Sequence, residues 1–419
     1  MAERKTLADD CFALPPGVDW TPVDKALARL REGLVPVAGI EHVPAAAGLG
    51  RILAEPVIAR RANPPAANAA VDGYGFAAAS MAVAGSADLA VLAGRAAAGA
   101  PFAAQVGPGE TVRILTGAIL PAGVDTVVMQ EDATLVDGRL QLASGLKPGA
   151  NTRRAGEDVA AGTAALPAGR RLRAPDMALI AAVGVEHMAV YARLRVGVLS
   201  SGDEVVASGA ADAHQTYDAN RPMLLAMIER FGHEPVDLGI VADDPSALHA
   251  ALDDAAKRCD AVLTSGGASA GDEDHLSAVL QAGGHLQTWR VAMKPGRPLA
   301  LGLWQGVPVF GLPGNPVAAC VCALIFARPA LGVLAGAGWL SPVAVSVPAA
   351  FSKSKKQGRR EYLRARLNEE GAAEVFASEG SGRISGLSWA EGLVELPDEA
   401  LRVEPGDLVR YISFAQFGL

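Results

Sequence analysis

Residues 262–275 read VLTSGGASAGDEDH. A β-branched strand end runs into a turn of glycine and serine, and three adjacent carboxylates follow. Gly266, Gly267 and Gly271 let the backbone curl so that consecutive N–H groups can face phosphate oxygens, while Asp272, Glu273 and Asp274 offer hard oxygen ligands for Mg2+. The lysine and spacing of a P-loop are missing, so the stretch points to phosphate chemistry without naming the compound. Taken in isolation it reads equally well as a tight strand-to-helix turn with an acidic helix start.

The segments around it supply the fold. From Arg193 onward the chain alternates strand, turn and helix: RVGVLSSGDEV, then NRPMLLAMIERFG closed by Gly232, EPVDLGIV, PSALHAALDDAAKRC and DAVLTSGG. VPVFGLP leads into a helix starting near Pro316, with Asn315 placed to cap it. This alternation predicts a parallel sheet with helices on its faces. The loops SSGDE, TSGGASAGDED and GLPGNP then leave carboxyl ends of strands, the edge where open α/β sheets bind ligands.

Elsewhere the pattern changes. TPVDKALARLREGL at 21–34 predicts a helix with Thr21 as N-cap and Pro22 at its first position. Between about Val57 and Arg153 the runs are short and β-like, with ADLAVLAGRA, ETVRILTG and a hairpin turning at Asp137 and Gly138. Helical character returns over 154–190, where Pro175 opens DMALIAAVGV, so the β segment reads as an insertion. After Ser341, AVSVP, AEVFA and DLVRYISF predict a small β barrel or sandwich. The expected architecture is a multidomain α/β and β protein: a split N-terminal domain at 15–58 and 154–190, an inserted β domain at 59–153, a central parallel α/β domain at 191–338 and a C-terminal, barrel-like β domain at 341–419.

Composition narrows the function. A chain of 419 residues, half of them apolar and 20% charged, has material for several cores. A net charge of −8 argues against general binding to nucleic acid or anionic membrane, so an anionic ligand must be held locally. The first residues show no signal-peptide pattern, and the apolar region at 317–340 is interrupted by Arg328 and Pro329, which suits a buried helix. Cys11, Cys259, Cys320 and Cys322 form no C-x-x-C pair and read as free thiols of a cytoplasmic protein. His214, His233 and His275 give no metal spacing. The basic run KSKKQGRREYLRAR at 353–366 reads as a solvated face.

Eight stretches in order resemble the MoeA family of molybdenum-insertion enzymes, to which the gephyrin E domain is related: AAVDGYGF (69–76), RILTGAILPAGVDTVVMQED (113–132), RRAGEDVAAG (153–162), LSSGDEVV (199–206), YDANRPML (217–224), TSGGASAGDED (264–274), MKPGRPLALG (293–302) and GLPGNPVAA (311–319). The resemblance implies a homodimer whose α/β domain binds molybdopterin, with a cleft completed by the inserted domain of the other subunit. The reaction it implies takes adenylylated molybdopterin and molybdate, cleaves the pyrophosphate link, releases AMP and leaves molybdenum on the dithiolene. Transient contact with a molybdopterin adenylyltransferase and with acceptor molybdoenzymes is implied as well. A non-catalytic binding or scaffolding relative of the same fold is the alternative; a smaller adenylyltransferase fits the extra domains poorly.

Carried over residue by residue, the resemblance assigns catalysis to Asp72, Thr116, Asp158, Glu204, Asp243 and Asp274. Of these, Glu204, Asp243 and Asp274 would hold Mg2+ or another divalent cation. It assigns substrate binding to Ser265, Gly266, Gly267, Ser269, Arg290, Lys294, Arg297, Pro298, Pro313, Asn315, Pro316, Arg364 and Ser381. Lys294, Arg297, Pro298, Arg364 and Ser381 would take molybdate, a tetrahedral dianion suited to fixed cationic donors. KPGRP here replaces the family's KPGKP, a planar fork in place of a point charge.

Overall fold

The structure is a computed structural model describing residues 21–81, 86–142, 146–209, 211–266, 275–283, 285–296 and 298–419; for 285–290 and 298 the backbone alone is described. Gly267, Ser269, Asp274 and Arg297 therefore lie outside the described residues, as do Cys11, Gly271, Asp272 and Glu273.

Helix α1 (Val23–Gly33) starts one position later than its sequence suggests. Pro22 is its N-cap, and no side chain caps it. Thr21 is drawn instead into a parallel bridge with Val291, and its carbonyl accepts the Ala292 N–H at 2.8 Å. Val23, Ala26 and Leu30 lie on one face and share a core with Val196, Val198 and Phe326. Residues 21–34 thus pack largely with the α/β layer, in a core that Ile52 and Tyr191 of the split segment also join.

That split segment is assembled from both sides of the insertion. Ile40–Pro44 pairs antiparallel with His187–Tyr191, and Val57–Ile58 with Ala164–Leu166. Helix α2 (Ala174–Ala182), opened by Pro175, places Ile180 against Leu53, Leu172 and Met188.

The insertion forms a six-stranded sheet of β1 (Gly73–Phe76), β2 (Ala87–Ala96), β3 (Glu110–Ile114), β4 (Thr126–Met129), β5 (Thr134–Val136) and β6 (Arg139–Leu142), in the order β4-β1-β3-β2-β6-β5. Alternation sends Val127 to a core with Ile114 and Val128 to one with Phe76 and Leu89. The β5–β6 hairpin turns at Asp137 (φ 48) and Gly138 (φ 74), the two-residue turn that DG predicts.

The central layer comprises β7 (Arg195–Ser201), α3 (Asn220–Arg230), β8 (Glu234–Val241), α4 (Pro245–Arg258), β9 (Ala261–Ser265), α5 (His275–Gly283), β10 (His285–Arg290), then the two-residue strand β11 (Met293–Lys294), β12 (Pro298–Trp304) and β13 (Val307–Leu312). Sheet order is β8-β7-β9-β13-β12-β10. The first four strands are parallel, as the alternation predicts. β12 and β10 run antiparallel and extend one edge through a turn at Gln305 (φ 49) and Gly306 (φ 79), an addition the sequence reading does not contain. Leu224 and Ile228 of α3 cover one face; Leu248 and Leu252 of α4 and Leu276 and Leu280 of α5 cover the other.

A helical run, α6 (Pro316–Cys322), a π turn (Ala323–Ala327) and α7 (Arg328–Leu334), crosses the main core. It is long and apolar enough to span a membrane, but 89% of that stretch is buried inside the protein. The π turn lies just ahead of Pro329, whose ring would meet the carbonyl four residues back in a regular helix.

The C-terminal sheet contains β14 (Val345–Pro348), β15 (Arg360–Leu367), β16 (Gly392–Leu396) and β17 (Leu408–Ser413), in the order β11-β15-β16-β17-β14, with Ala373–Val375 added on β15. The chain leaving β14 bridges Ala373 at Ala349, and Ala350 donates its N–H to the Ala373 carbonyl at 2.8 Å, so the added strand links β14 back to β15 and the sheet curls round in the barrel-like manner expected. β11 pairs in parallel with β15, Lys294 opposite Glu361. The basic run is not a solvated face. Lys355 is 4% exposed and donates to the carbonyls of Lys356, Asp398 and Glu399, while Arg360 forks onto Asp24 at 2.8 and 2.9 Å. Strand pairing turns alternate residues of the run inward, where they find acceptors.

Two glycines separate backbone strain from crowding. A Cβ at Gly73 would lie 1.8 Å from the Val128 carbonyl oxygen, whereas one at Gly138 meets nothing within 4 Å and suffers only from the positive φ. Gly138→Ala should cost about 1–2 kcal/mol. Gly73→Ala should cost more, because β1 and β4 must separate, and chemical denaturation of the two variants compares them directly.

Candidate active site

Parallel register brings three loops level. Ser200 of β7 faces Ser265 of β9, which faces Leu312 of β13. Gly266 follows with φ 91, and a Cβ there would lie 2.3 Å from the Ser201 carbonyl oxygen, so only glycine lets the turn close on β7. Gly314 of the LPGNP turn comes next, its added Cβ 3.6 Å from the Gly266 Cα. Asn220, 5% exposed at the start of α3, donates from one amide nitrogen to Ser265 Oγ at 2.6 Å and to the Gly314 carbonyl at 2.7 Å. This clamp was not singled out from sequence; YDANRPML marked the stretch, but its meaning depends on two distant loops. Pro313 is buried, Pro316 opens α6, and the Asn315 side chain accepts the Val317 N–H at 3.2 Å, so a helix N-terminus faces the same edge.

The acids on this edge adjoin one another. Asp243, after β8, donates its N–H to Asp203 Oδ1 at 3.0 Å, tying its turn to SSGDE. Glu204 folds over that turn, since a Cβ at Gly202 would stand 2.8 Å from its Oε2. Asp203 also escaped the sequence reading, because nothing in SSGDE separates it from Glu204. Glu204 and Asp243 carry hard carboxylate oxygens, the donor type that suits a divalent cation. Among the described residues no group of three or more His, Cys, Asp or Glu side chains is placed to hold a metal; the third expected ligand, Asp274, lies outside them.

Beside this edge, a pocket of about 180 Å³ opens between the α/β layer and the C-terminal sheet, with Lys294, Lys353, Arg364 and Glu379 among its walls. Lys294 Nζ lies 2.6 Å from Glu379 Oε2. Lys353 contacts the same carboxylate and lies 3.1 Å from Glu361. Lys294, then Lys353, hold the Glu379 carboxyl below its usual range. Burial opposes the charge on Lys353, but its bonds to Glu379 and Glu361 outweigh burial and raise its pKa. Lys353 and Glu379 were both missed from sequence, hidden in runs whose exposure only the sheet decides.

Arg364, 4% exposed, gives its N–H groups to the carbonyls of Arg383, Ser378 and Gly380 and stacks 4.9 Å above Phe376. Its first task is therefore to hold the loop that carries Ser381. That loop abuts the LPGNP turn, a Cβ at Gly382 lying 3.8 Å from Asn315 Nδ2. Gly296, with φ 95, backs onto α6, where an added Cβ would be 2.7 Å from Cys322 Sγ. Burial pushes the Cys320 and Cys322 thiols up to about 12, in keeping with core packing. Arg290 and Pro298 pair with each other across β10 and β12.

The remaining expected residues lie apart. Asp72 Oδ1 accepts both the Thr116 hydroxyl at 2.6 Å and the Thr116 N–H at 2.7 Å, and these bonds hold its carboxyl below the usual range. Thr116 thus donates to Asp72, leaving its oxygen lone pairs outward. Asp158 Oδ2 accepts the Asn63 amide at 2.8 Å. Among the described residues no hydrogen bond or ion pair joins 59–153 to the α/β layer.

A glycine turn beside a lysine pocket, both at the carboxyl ends of one open sheet, is the arrangement of an α/β enzyme with its ligand site on that edge. The chain matches the MoeA N-terminal region (domain I and II) at residues 21–184, a probable molybdopterin binding domain at 197–332 and the MoeA C-terminal region (domain IV) at 346–414. A molybdopterin molybdenumtransferase of Haemophilus influenzae is 35% identical over 94% of this chain and 98% of its own length; one from Nostoc is 35% identical over 83% of each. A crystal structure of a molybdopterin biosynthesis MoeA protein from Pyrococcus horikoshii superposes with a TM-score of 0.81 at 27% identity, covering 94% of this chain and all of that one. The chain belongs to the MoeA family.

The Glu379 contact sets a pH dependence. A carboxyl with a lowered folded value contributes stability above the ordinary carboxylate range, and that contribution is lost as pH falls through the lowered value. Between about pH 6 and pH 3 the wild type should therefore lose more thermal stability than Glu379→Gln; parallel melting curves would contradict the contact.

Proposed function

We propose that this chain inserts molybdenum from molybdate into adenylylated molybdopterin, cleaving the pyrophosphate link and releasing AMP, as a cytoplasmic homodimer. The observation that carries the reading is the contact between the LPGNP turn and the 378–383 loop, which sets the phosphate cradle and the lysine pocket side by side. Two anionic reactants held in adjacent sites meet without a diffusional search, and donors aimed at both lower the barrier to their union.

In this reading the Gly266 turn and the α6 N-terminus hold the substrate phosphates, with Gly267 and Ser269 completing the turn. Lys294 and Lys353, with Arg297 and Ser381, receive molybdate. Glu379 pairs with both lysines where the anion would sit, and molybdate must displace it. A divalent cation such as Mg2+, held by Glu204, Asp243 and Asp274, would supply charge neutralisation for the pyrophosphate. Asp72, Thr116 and Asp158 are far from these loops in bonding terms, which supports their arrival from a second copy of the chain. An adenylyltransferase upstream and acceptor molybdoenzymes downstream would be transient partners.

Purified protein given adenylylated molybdopterin, Mg2+ and molybdate should release AMP only when molybdate is present. Binding without AMP release would favour the scaffolding alternative. Lys294→Ala should raise the half-saturating molybdate concentration about tenfold or more, since a charge-assisted bond is worth about 1.5–3 kcal/mol. Glu379→Gln should lower it, and the opposite shift would remove Glu379 from the pocket. Asp274→Ala should keep pterin binding and lose turnover.

A further inference from the structure

A second cationic pocket lies at the opposite, amino-terminal edge of the parallel strands. Its cavity of about 150 Å³ is lined by Arg171 from the split segment, Arg230, Phe231 and His233 between α3 and β8, Arg328 of α7, and Gln416, Phe417 and Gly418 near the chain end. Arg171 is half-buried and lies flat on Gly232, where a Cβ would stand 2.2 Å from its Nη1. Arg328 is held by the Leu340 carbonyl at 3.2 Å and the Gln416 carbonyl at 3.4 Å, with the Phe417 ring 4.7 Å from its guanidinium carbon. Gly418 packs on the last residue of α3, an added Cβ lying 3.6 Å from the Arg230 carbonyl oxygen.

Every charge on this pocket has the same sign. Among the described residues none of Arg171, Arg230 and Arg328 makes an ion pair, and Arg171 and Arg230 make no side-chain hydrogen bond either. Burial and then Arg171 pull the Arg328 pKa down to about 10, and burial followed by Arg193 lowers that of Arg171. His233, 5% exposed, is pushed down to about 3 by burial and by Arg171 and Arg193, so near neutral pH it is a neutral ring able to donate one N–H. Half-buried like charges repel, and a fold that keeps them fixed without a carboxylate has a counter-ion missing. The lysine pocket shows the contrast, since there Glu361 and Glu379 neutralise Lys353 and Lys294.

We propose that this pocket is a binding site for a compact divalent oxyanion of the phosphate or sulfate class, gripped by the forks of Arg171 and Arg328, with Arg230 at the rim. Guanidinium forks match tetrahedral oxyanions through paired hydrogen bonds, and the cavity has room for one such group. The oxyanion is either free or the phosphate end of a nucleotide, and it joins three parts of the chain: the split segment, the α/β layer and the residues after β17.

Thermal melting of the full chain tests this with inorganic phosphate and AMP titrated separately. Phosphate should raise the melting temperature of wild type and of Lys294→Ala alike, because the lysine pocket is not the site. Arg171→Met should melt above wild type without phosphate, having lost an unpaired charge, and should bind phosphate at least about tenfold more weakly. Arg230→Gln, exposed and safe for folding, should weaken binding several-fold if Arg171→Met proves insoluble. An Arg171-dependent response larger for AMP than for phosphate identifies a nucleotide as the source; equal responses identify the free anion. Phosphate and AMP shifts that are absent, or unchanged in both arginine variants, would overturn the proposal.

Discussion

Everything on the ligand edge depends on one close approach, Gly266 against the carbonyl of Ser201. The in-register pairing of β7, β9 and β13 ends three strands at one level, but level strands alone would leave three separate loops. The missing Cβ lets the middle loop sink onto its neighbour, and Gly314 then closes from the other side. Asn220 can bridge Ser265 and Gly314 only because they have been drawn together. The acidic turns inherit the arrangement, since SSGDE is the segment on which Gly266 rests and Asp243 is bonded to it.

Much of this was legible in the residues. A proline marked α2 and a cap marked α6, because Pro175 and Asn315 act within one turn of the chain. The DG turn and the strand alternation of the insertion were local in the same sense. What failed was non-local. Thr21 has the chemistry of a cap, yet pairing with Val291 claims its backbone; KSKKQGRR has the composition of a surface, yet β15 and its neighbours turn Lys355 and Arg360 inward. The antiparallel edge is hard to see in the residues, because the Gln305–Gly306 turn from β12 into β13 lacks the NG or DG signature, and β10 meets β12 only across the longer 291–297 connection. At the site, loops could be placed from the strand-end rule, whereas Asp203, Asn220, Lys353 and Glu379 gain meaning only from partners far away in sequence.

The charge distribution adds a second layer. In a chain with net charge −8, two pockets gather cations, and they do so differently. On the carboxyl edge, Glu361 and Glu379 neutralise Lys294 and Lys353. On the amino edge carbonyls and an aromatic ring orient Arg328, and among the described residues no acid pairs with it. The helical run α6–α7 spans both, beginning at the LPGNP turn and reaching Arg328 twelve residues later, about 18 Å along its axis at 1.5 Å per residue.

Strand β11 has a mechanical consequence. Met293 and Lys294 belong by chain order to the α/β layer but by hydrogen bonding to the C-terminal sheet. A hinge placed between these two units would have to peel β11 from β15 before the units could part. The lysine pocket therefore rides on a seam rather than across a joint. Moving its two walls apart would break the Met293–Arg360 and Lys294–Glu361 pairings, a cost that connections without shared strands do not carry.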